Sequence, residues 1–148
     1  MYYFAYGSNM DLNRLSGRIK RKPEGIPGYL EDYTLVFNKV ASKPANAGYA
    51  NIIESSGKRV HGVIFDLTES EFKILDRCEG VASGDYYRKT MSIHTDSKII
   101  EAIVYIACLS RVKENLLPTR EYLNYLLAGQ CYLPDEYFKN LSRQITIG

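Results

Sequence analysis

The first ten residues constrain the fold of this chain more than any other segment. An apolar, aromatic run, Tyr2–Tyr6, is typical of a strand buried in a core, and it stops abruptly at Gly7-Ser8-Asn9. A helical pattern then begins, with apolar residues at Leu12, Leu15 and Ile19. The first N–H groups of a helix point outward without a partner inside the helix, so such a junction suits an anion or an oxyanion. The same junction also serves as plain scaffold, and the segment alone does not decide between the two.

The length and charge of the chain exclude several classes of protein. A chain of 148 residues is long enough for one domain with a core, so we expect residues 1–148 to form a single domain. A net charge of +2 is too small to indicate nucleic-acid binding, and no apolar run approaches the roughly 20 residues that span a membrane. The N-terminal segment does not have the pattern of a signal peptide. Three cysteines without CxxC spacing predict reduced thiols, and hence a cytoplasmic protein, rather than a disulfide framework.

The order of the predicted elements indicates a mixed architecture. Short β-rich runs and amphipathic helical segments follow one another without regular strand–helix alternation, which favours the α+β class. A capping box opens one helix at Thr68, Gly80 stands where that helix ends, and Ser55-Ser56-Gly57 predicts a hairpin turn. The predicted strands are 33–37, 49–53, 60–65, 86–93 and 99–108, and the last two helices start after Pro118 and Pro134.

The absence of several known motifs limits the catalytic groups that this chain can use. The sequence contains no GxSxG, P-loop, GxGxxG or HExxH motif and no Cys/His spacing typical of zinc. Both histidines, His61 and His94, fall in strand-like runs, so neither is a promising catalytic base. We therefore expect no metal, and the catalytic repertoire reduces to carboxylates, tyrosines and backbone groups.

Glu79 is the candidate carboxylate. It falls at the C-terminal end of the capped helix, where the negative end of the helix dipole should raise the pKa of a carboxyl group, and burial beside tyrosines would act in the same direction. A glutamate with a raised pKa suits general acid/base catalysis. A nearby Arg77 or Arg88 would lower the pKa instead, and the sequence leaves this balance open.

Taken together, the two segments resemble a known family. Tyr6-Gly7-Ser8-Asn9 closes the first strand, and residues 75–86 read LDRCEGVASGDY. This pair of motifs, with residues 48–52 and 133–137 in the expected order, is similar to the γ-glutamylcyclotransferase family over nearly the whole chain. The resemblance implies a single domain, a small mixed β-barrel flanked by helices.

The resemblance also implies an activity and a site. The enzyme would cyclise a γ-glutamyl group, releasing 5-oxoproline and a free amine, with no cofactor and with only a small-molecule γ-glutamyl substrate as partner, as a monomer or homodimer. Glu79 would be the catalytic acid/base; substrate-binding residues would be Tyr6, Gly7, Ser8, Asn9, Tyr86, Tyr105 and Tyr122. Loops 41–48 and 109–117 would receive the leaving amine, and we expect the basic run 18–22 to be a solvated helix end. The alternative is a non-catalytic binding module for a small carboxylated amine on the same fold.

Overall fold

Five strands close into a barrel whose pairing is mostly antiparallel. The computed structural model describes all 148 residues and places the strands in the order β1-β3-β2-β4-β5. β1 meets β5 in parallel through Tyr3 and Ile103, and every other pairing is antiparallel. The predicted α+β class and mixed β-barrel are therefore confirmed. The strands are β1 (Tyr2–Ala5), β2 (Gly25–Val40), β3 (Gly48–Asp66), β4 (Tyr86–His94) and β5 (Ile99–Ala107).

Four helices flank the barrel, and their boundaries follow the capping signals in the sequence. The side chain of Asp11 caps α1 by accepting from the amides of Asn13 and Arg14, and Thr68 with Glu71 forms the predicted capping box of α2. No helix combines the length and the apolar character needed to cross a membrane. The helices are α1 (Leu12–Ile19), α2 (Glu69–Cys78), α3 (Arg120–Leu127) and α4 (Asp135–Ser142).

The predicted hairpin turn at Ser55-Ser56-Gly57 is wrong. β3 runs through this segment without reversing, because β2 continues alongside it on the other side of a register shift. Gly57 takes φ +81° and donates its N–H to Asp32 Oδ1 at 3.0 Å, so glycine permits an irregularity in the ladder instead of a turn. The chain reverses earlier, between Val40 and Gly48, where β2 ends and β3 begins.

A continuous core fixes α2 against the barrel. Phe4 of β1 and Phe65 of β3 pack in the same cluster as Phe72 and Leu75 of α2, and each is at most 1% exposed. Burying an aromatic or leucine side chain of this kind contributes about 1.5–3 kcal/mol. The C-terminal end of α2 is thereby held at a defined position near the end of β1.

Candidate active site

The turn after β1 presents backbone amides at one end of the barrel. Residues Ser8–Met10 form a single 3₁₀ turn that leads directly into the Asp11 cap of α1. The amides of Gly7, Ser8 and Asn9 donate to no loop, turn or side-chain acceptor in the chain. A Cβ at Gly7 would stand 3.2 Å from Ala50 Cβ, so glycine is what lets this backbone pack closely against β3.

The side chains of this turn fix its shape. Asn9 is buried, donates from Nδ2 to the Tyr3 hydroxyl at 2.9 Å and accepts at Oδ1 from Arg18 at 3.1 Å. The hydroxyl oxygen of Ser8 accepts from Arg14 Nε at 3.1 Å. The Asn9 side chain is therefore engaged by the protein, whereas the Ser8 hydroxyl keeps its own proton. That proton and the backbone amides are the groups that the turn offers to a ligand.

Glu79 stands directly after α2, and its amide donates to Leu75 O at 2.8 Å. The Glu79 side chain is 18% exposed, with Oε1 3.4 Å from Arg18 Nη1. Burial raises the pKa of Glu79 above its ordinary value, and the positive charges of Arg18, Arg14 and Lys39 partly oppose that rise. The sequence left the direction of this pKa shift open; of the causes considered there, burial is the leading one in the structure.

The two arginines considered from the sequence do not lower the pKa of Glu79. Arg88 makes a bidentate pair with Asp76, with both N–O distances at 2.8 Å, so its charge is held elsewhere. Arg77 makes no hydrogen bond or ion pair through its side chain. The cation nearest to the Glu79 carboxyl group is Arg18, so the prediction of a solvated helix end is wrong for this residue.

The four tyrosines selected from the sequence differ in whether the hydroxyl proton is already donated to a group of the protein. Tyr6 donates to Tyr105 O at 2.6 Å, and Tyr86 donates to Ala50 O at 2.8 Å. The Tyr105 hydroxyl donates to Asp76 Oδ1 at 2.7 Å. The Tyr122 hydroxyl instead accepts from the Ala50 amide at 3.0 Å, which leaves its own proton free for a ligand.

All eight residues selected from the sequence line one small niche. Its volume is about 30 Å³, which is room for about two water-sized groups. The niche adjoins an outer cavity of about 540 Å³, with which it shares Ser8, Glu79, Tyr86 and Tyr122. A ligand with one small anionic end and a larger body fits this arrangement. The selected residues are Tyr6, Gly7, Ser8, Asn9, Glu79, Tyr86, Tyr105 and Tyr122.

Three basic residues of the site were missed by sequence reasoning. Arg14 and Arg18 are four residues apart on α1, so they share the helix face that turns toward Glu79. Lys39 follows a register shift between β2 and β3, and its side chain is only 10% exposed beside Asp85. The arginine spacing was a usable signal, whereas the irregularity that positions Lys39 has no sequence signature.

Nothing in the chain forms a ready metal centre. No group of three or more His, Cys, Asp or Glu side chains is clustered closely enough to hold an ion. His61 and His94 pack around the ring of Tyr29, and neither lines the niche.

A closed mixed barrel with a partly buried carboxyl group and the amides of a turn on one niche defines a class of small α+β protein. Comparisons with known proteins place that class in a family. The model of the AIG2-like family matches residues 59–141. γ-Glutamylcyclotransferases of Bos taurus and Homo sapiens are each 31% identical, matching 95% and 94% of this chain and 76% of their own length. The chain therefore belongs to the γ-glutamylcyclotransferase family of enzymes.

Solved structures agree with this assignment. A structure described as a γ-glutamyl cyclotransferase superposes with a TM-score of 0.86 at 28% identity, covering 99% of this chain and 89% of its own. A yeast γ-glutamyl cyclotransferase described as specific to glutathione superposes at 0.65 with 13% identity, over 95% of this chain and 93% of its own. The second match shows the shared fold alone.

Proposed function

We propose that this protein cyclises the γ-glutamyl group of a small molecule, releasing 5-oxoproline and the free amine. The observation that carries the proposal is the placement of the Glu79 carboxyl group and the Gly7–Asn9 amides on one niche. The first is an acid/base with a raised pKa, and the second is a set of donors for an anion.

Proton transfer is the task proposed for Glu79. Its carboxylate accepts a proton from the α-ammonium of the substrate, and the resulting amine attacks the γ-carbonyl carbon of the same molecule. A new C–N bond closes the five-membered ring and gives a tetrahedral intermediate. Glu79 then delivers its proton to the departing nitrogen as the original C–N bond breaks. The ring nitrogen then gives up its surplus proton to the Glu79 carboxylate, which passes it to the free amine. The amine leaves as an ammonium ion, the ring nitrogen keeps one proton as the lactam N–H, and Glu79 is an ionised carboxylate again.

The amides of Gly7, Ser8 and Asn9 are proposed to hold negative charge. A niche of about 30 Å³ admits a carboxylate-sized group, so it suits the α-carboxylate of the glutamyl end or the oxyanion of the intermediate. The rest of the folded glutamyl chain then lies at the niche mouth, within reach of Tyr122. Holding the chain folded brings amine and carbonyl together, and this contributes to the rate by proximity.

Further features of the protein are part of the same proposal. Cys78, Cys108 and Cys131 are free thiols, which supports a cytoplasmic location. We propose that the enzyme needs no cofactor or nucleic-acid partner, and that it acts as a monomer or homodimer.

The test is turnover of a panel of γ-glutamyl compounds by the purified protein. The panel contains γ-glutamyl dipeptides, γ-glutamyl-ε-lysine and simple γ-glutamylamines, with 5-oxoproline measured by chromatography. Release of 5-oxoproline by the wild-type protein, and its loss in Glu79→Gln, is the expected result. The matched control is Glu54→Gln, at an exposed glutamate on β3. Binding without 5-oxoproline across the panel would show a binding module instead.

A further inference from the structure

The outer cavity carries more positive than negative side chains. Its lining contains five cations, and the only carboxylates among the lining residues belong to Glu79 and Asp85. A concave surface with one sign of charge concentrates the opposite charge in its ligand. The cations are Arg14, Arg18, Lys39, Arg77 and Arg111.

The pairing of these charges leaves the excess unneutralised. Asp85 is shared, with Oδ1 3.2 Å from Lys39 Nζ and 3.4 Å from Arg111 Nε. Arg14 contacts the Ser8 hydroxyl and the ring of Tyr125, and it forms no ion pair. Arg77 has neither an ion pair nor a side-chain hydrogen bond. The guanidinium groups of Arg14 and Arg77 therefore have no carboxylate partner. Lys39 and Arg111 have one carboxylate, that of Asp85, between them, so positive charge remains for an anionic ligand.

Lys39 is a fixed part of this surface. Its ammonium group lies 5.6 Å from the ring centre of Tyr49 and 5.7 Å from that of Tyr86, and it donates to Val40 O at 3.1 Å. Because these contacts hold the ammonium group within the cavity, little side-chain freedom is lost when a ligand binds to it.

On the basis of the proposed function, we infer that the leaving group is acidic: a γ-glutamyl dipeptide whose second residue adds a side-chain carboxylate to its α-carboxylate. The γ-glutamyl end has no net charge, because its ammonium and its α-carboxylate cancel. In the proposed reaction its ammonium faces Glu79 and its α-carboxylate faces the amides of the turn. The positive excess of the outer cavity therefore faces the leaving group. A leaving lysine, which carries its own ammonium group, or an uncharged amine matches that surface poorly.

Two substrates of nearly equal shape isolate the effect of charge. γ-Glutamyl-glutamate and γ-glutamyl-glutamine differ only in the side chain of the second residue, which ends in a carboxylate in the first and in an amide in the second. We expect kcat/KM to be about tenfold higher for the glutamate compound at low salt, with the ratio falling as salt is raised to about 0.5 M. Arg77→Gln and Arg111→Gln should each lower the ratio several-fold. Lys73→Gln, at an exposed lysine of α2 outside the cavity, should leave it unchanged.

A binding measurement separates this inference from the proposed function. Calorimetry on the Glu79→Gln protein should give tighter binding of γ-glutamyl-glutamate than of γ-glutamyl-glutamine. Equal binding and equal turnover of the two dipeptides would overturn the inference and leave the proposed function standing. A preference in binding with no 5-oxoproline from the wild-type protein would overturn the proposed function and keep the charge preference. Absence of both binding and turnover would overturn both.

Discussion

Glu79→Gln should abolish turnover and at the same time make the protein more stable at neutral pH. Burial raises the pKa of Glu79 more than Arg18, Arg14 and Lys39 lower it, so the carboxylate form is disfavoured by the fold. A glutamine of the same shape removes that charge and still accepts from Arg18. Groups with a shifted pKa that lower the free energy of unfolding are expected at functional sites, where activity and stability are traded against each other.

The direction of the pH dependence follows from linkage. The Glu79 carboxyl group has a raised pKa in the folded state. Below the pKa of the unfolded state it is protonated in both states and does not lower the free energy of unfolding. As the pH rises from there through the folded-state pKa, the group ionises more readily in the unfolded chain, and the free energy of unfolding falls. The variant and the wild type should therefore unfold alike near pH 4 and diverge toward pH 7–8.

The size of the effect is limited by the Arg18 contact. At 3.4 Å, with the side chains of Arg18 and Glu79 20% and 18% exposed, the pair offsets part of the burial cost. We expect a net gain on the order of 1 kcal/mol, or about 2–4 °C in Tm for a chain of this length. Turnover should fall about 10²–10⁴-fold, the usual contribution of a positioned acid/base.

The assay is thermal unfolding followed by circular dichroism from pH 4 to pH 8, with 5-oxoproline release measured on the same preparations. Glu54→Gln is the control, because the side chain of this exposed glutamate makes no hydrogen bond or ion pair. A Glu79→Gln protein that is less stable than wild type at pH 7.5, or whose gain is the same at every pH, would refute the reasoning.

Three other substitutions test the site and its support. Arg18→Gln removes the cation that lowers the pKa of Glu79, so the acidic limb of the kcat/KM profile should move to higher pH; an unmoved limb would contradict the role given to Arg18. Phe72→Ala leaves a cavity at a fully buried position and should lower the free energy of unfolding, measured in urea, by about 3–5 kcal/mol. A loss of less than about 1 kcal/mol would show that the core beside α2 is loosely packed. Gly80→Ala places a Cβ 2.2 Å from Asp85 Oδ2 at φ +64°, so it should lower Tm and weaken turnover together; unchanged Tm would show that the loop adjusts freely.

Local patterns were enough to predict most of the fold. The Thr68 capping box, the glycine after α2 and the prolines before α3 and α4 each mark a boundary that the structure contains. These signals work because they act within a few residues along the chain. The failure at Ser55-Ser56-Gly57 has the opposite cause: whether a glycine makes a turn or a strand irregularity depends on the neighbouring strand, and β2 lies beside it throughout.

The site was predictable in its residue types and less so in its charges. The two motifs supplied six of the eight selected residues, because each motif is a short segment whose local geometry aims it at one end of the barrel. Tyr105 and Tyr122 lie outside both motifs and came from the wider resemblance. Lys39 enters the site only through packing between distant elements. The spacing of Arg14 and Arg18 predicts that they share a face of α1, but not that this face turns toward Glu79. The pairing of Arg18 with Glu79 joins residues 61 positions apart, and a charge run in the sequence does not show which of its members turns inward.

Arg18 has a consequence for the substrate as well as for the enzyme. Its guanidinium contacts both Asn9 and Glu79, so a fixed positive charge borders the place where the substrate ammonium must give up its proton. A neighbouring cation lowers the pKa of an amine for the same reason that it lowers the pKa of a carboxyl group. In the proposed reaction one arginine thus acts on donor and acceptor alike: it eases the loss of the proton from nitrogen, and it favours the ionised form of the carboxylate that receives it.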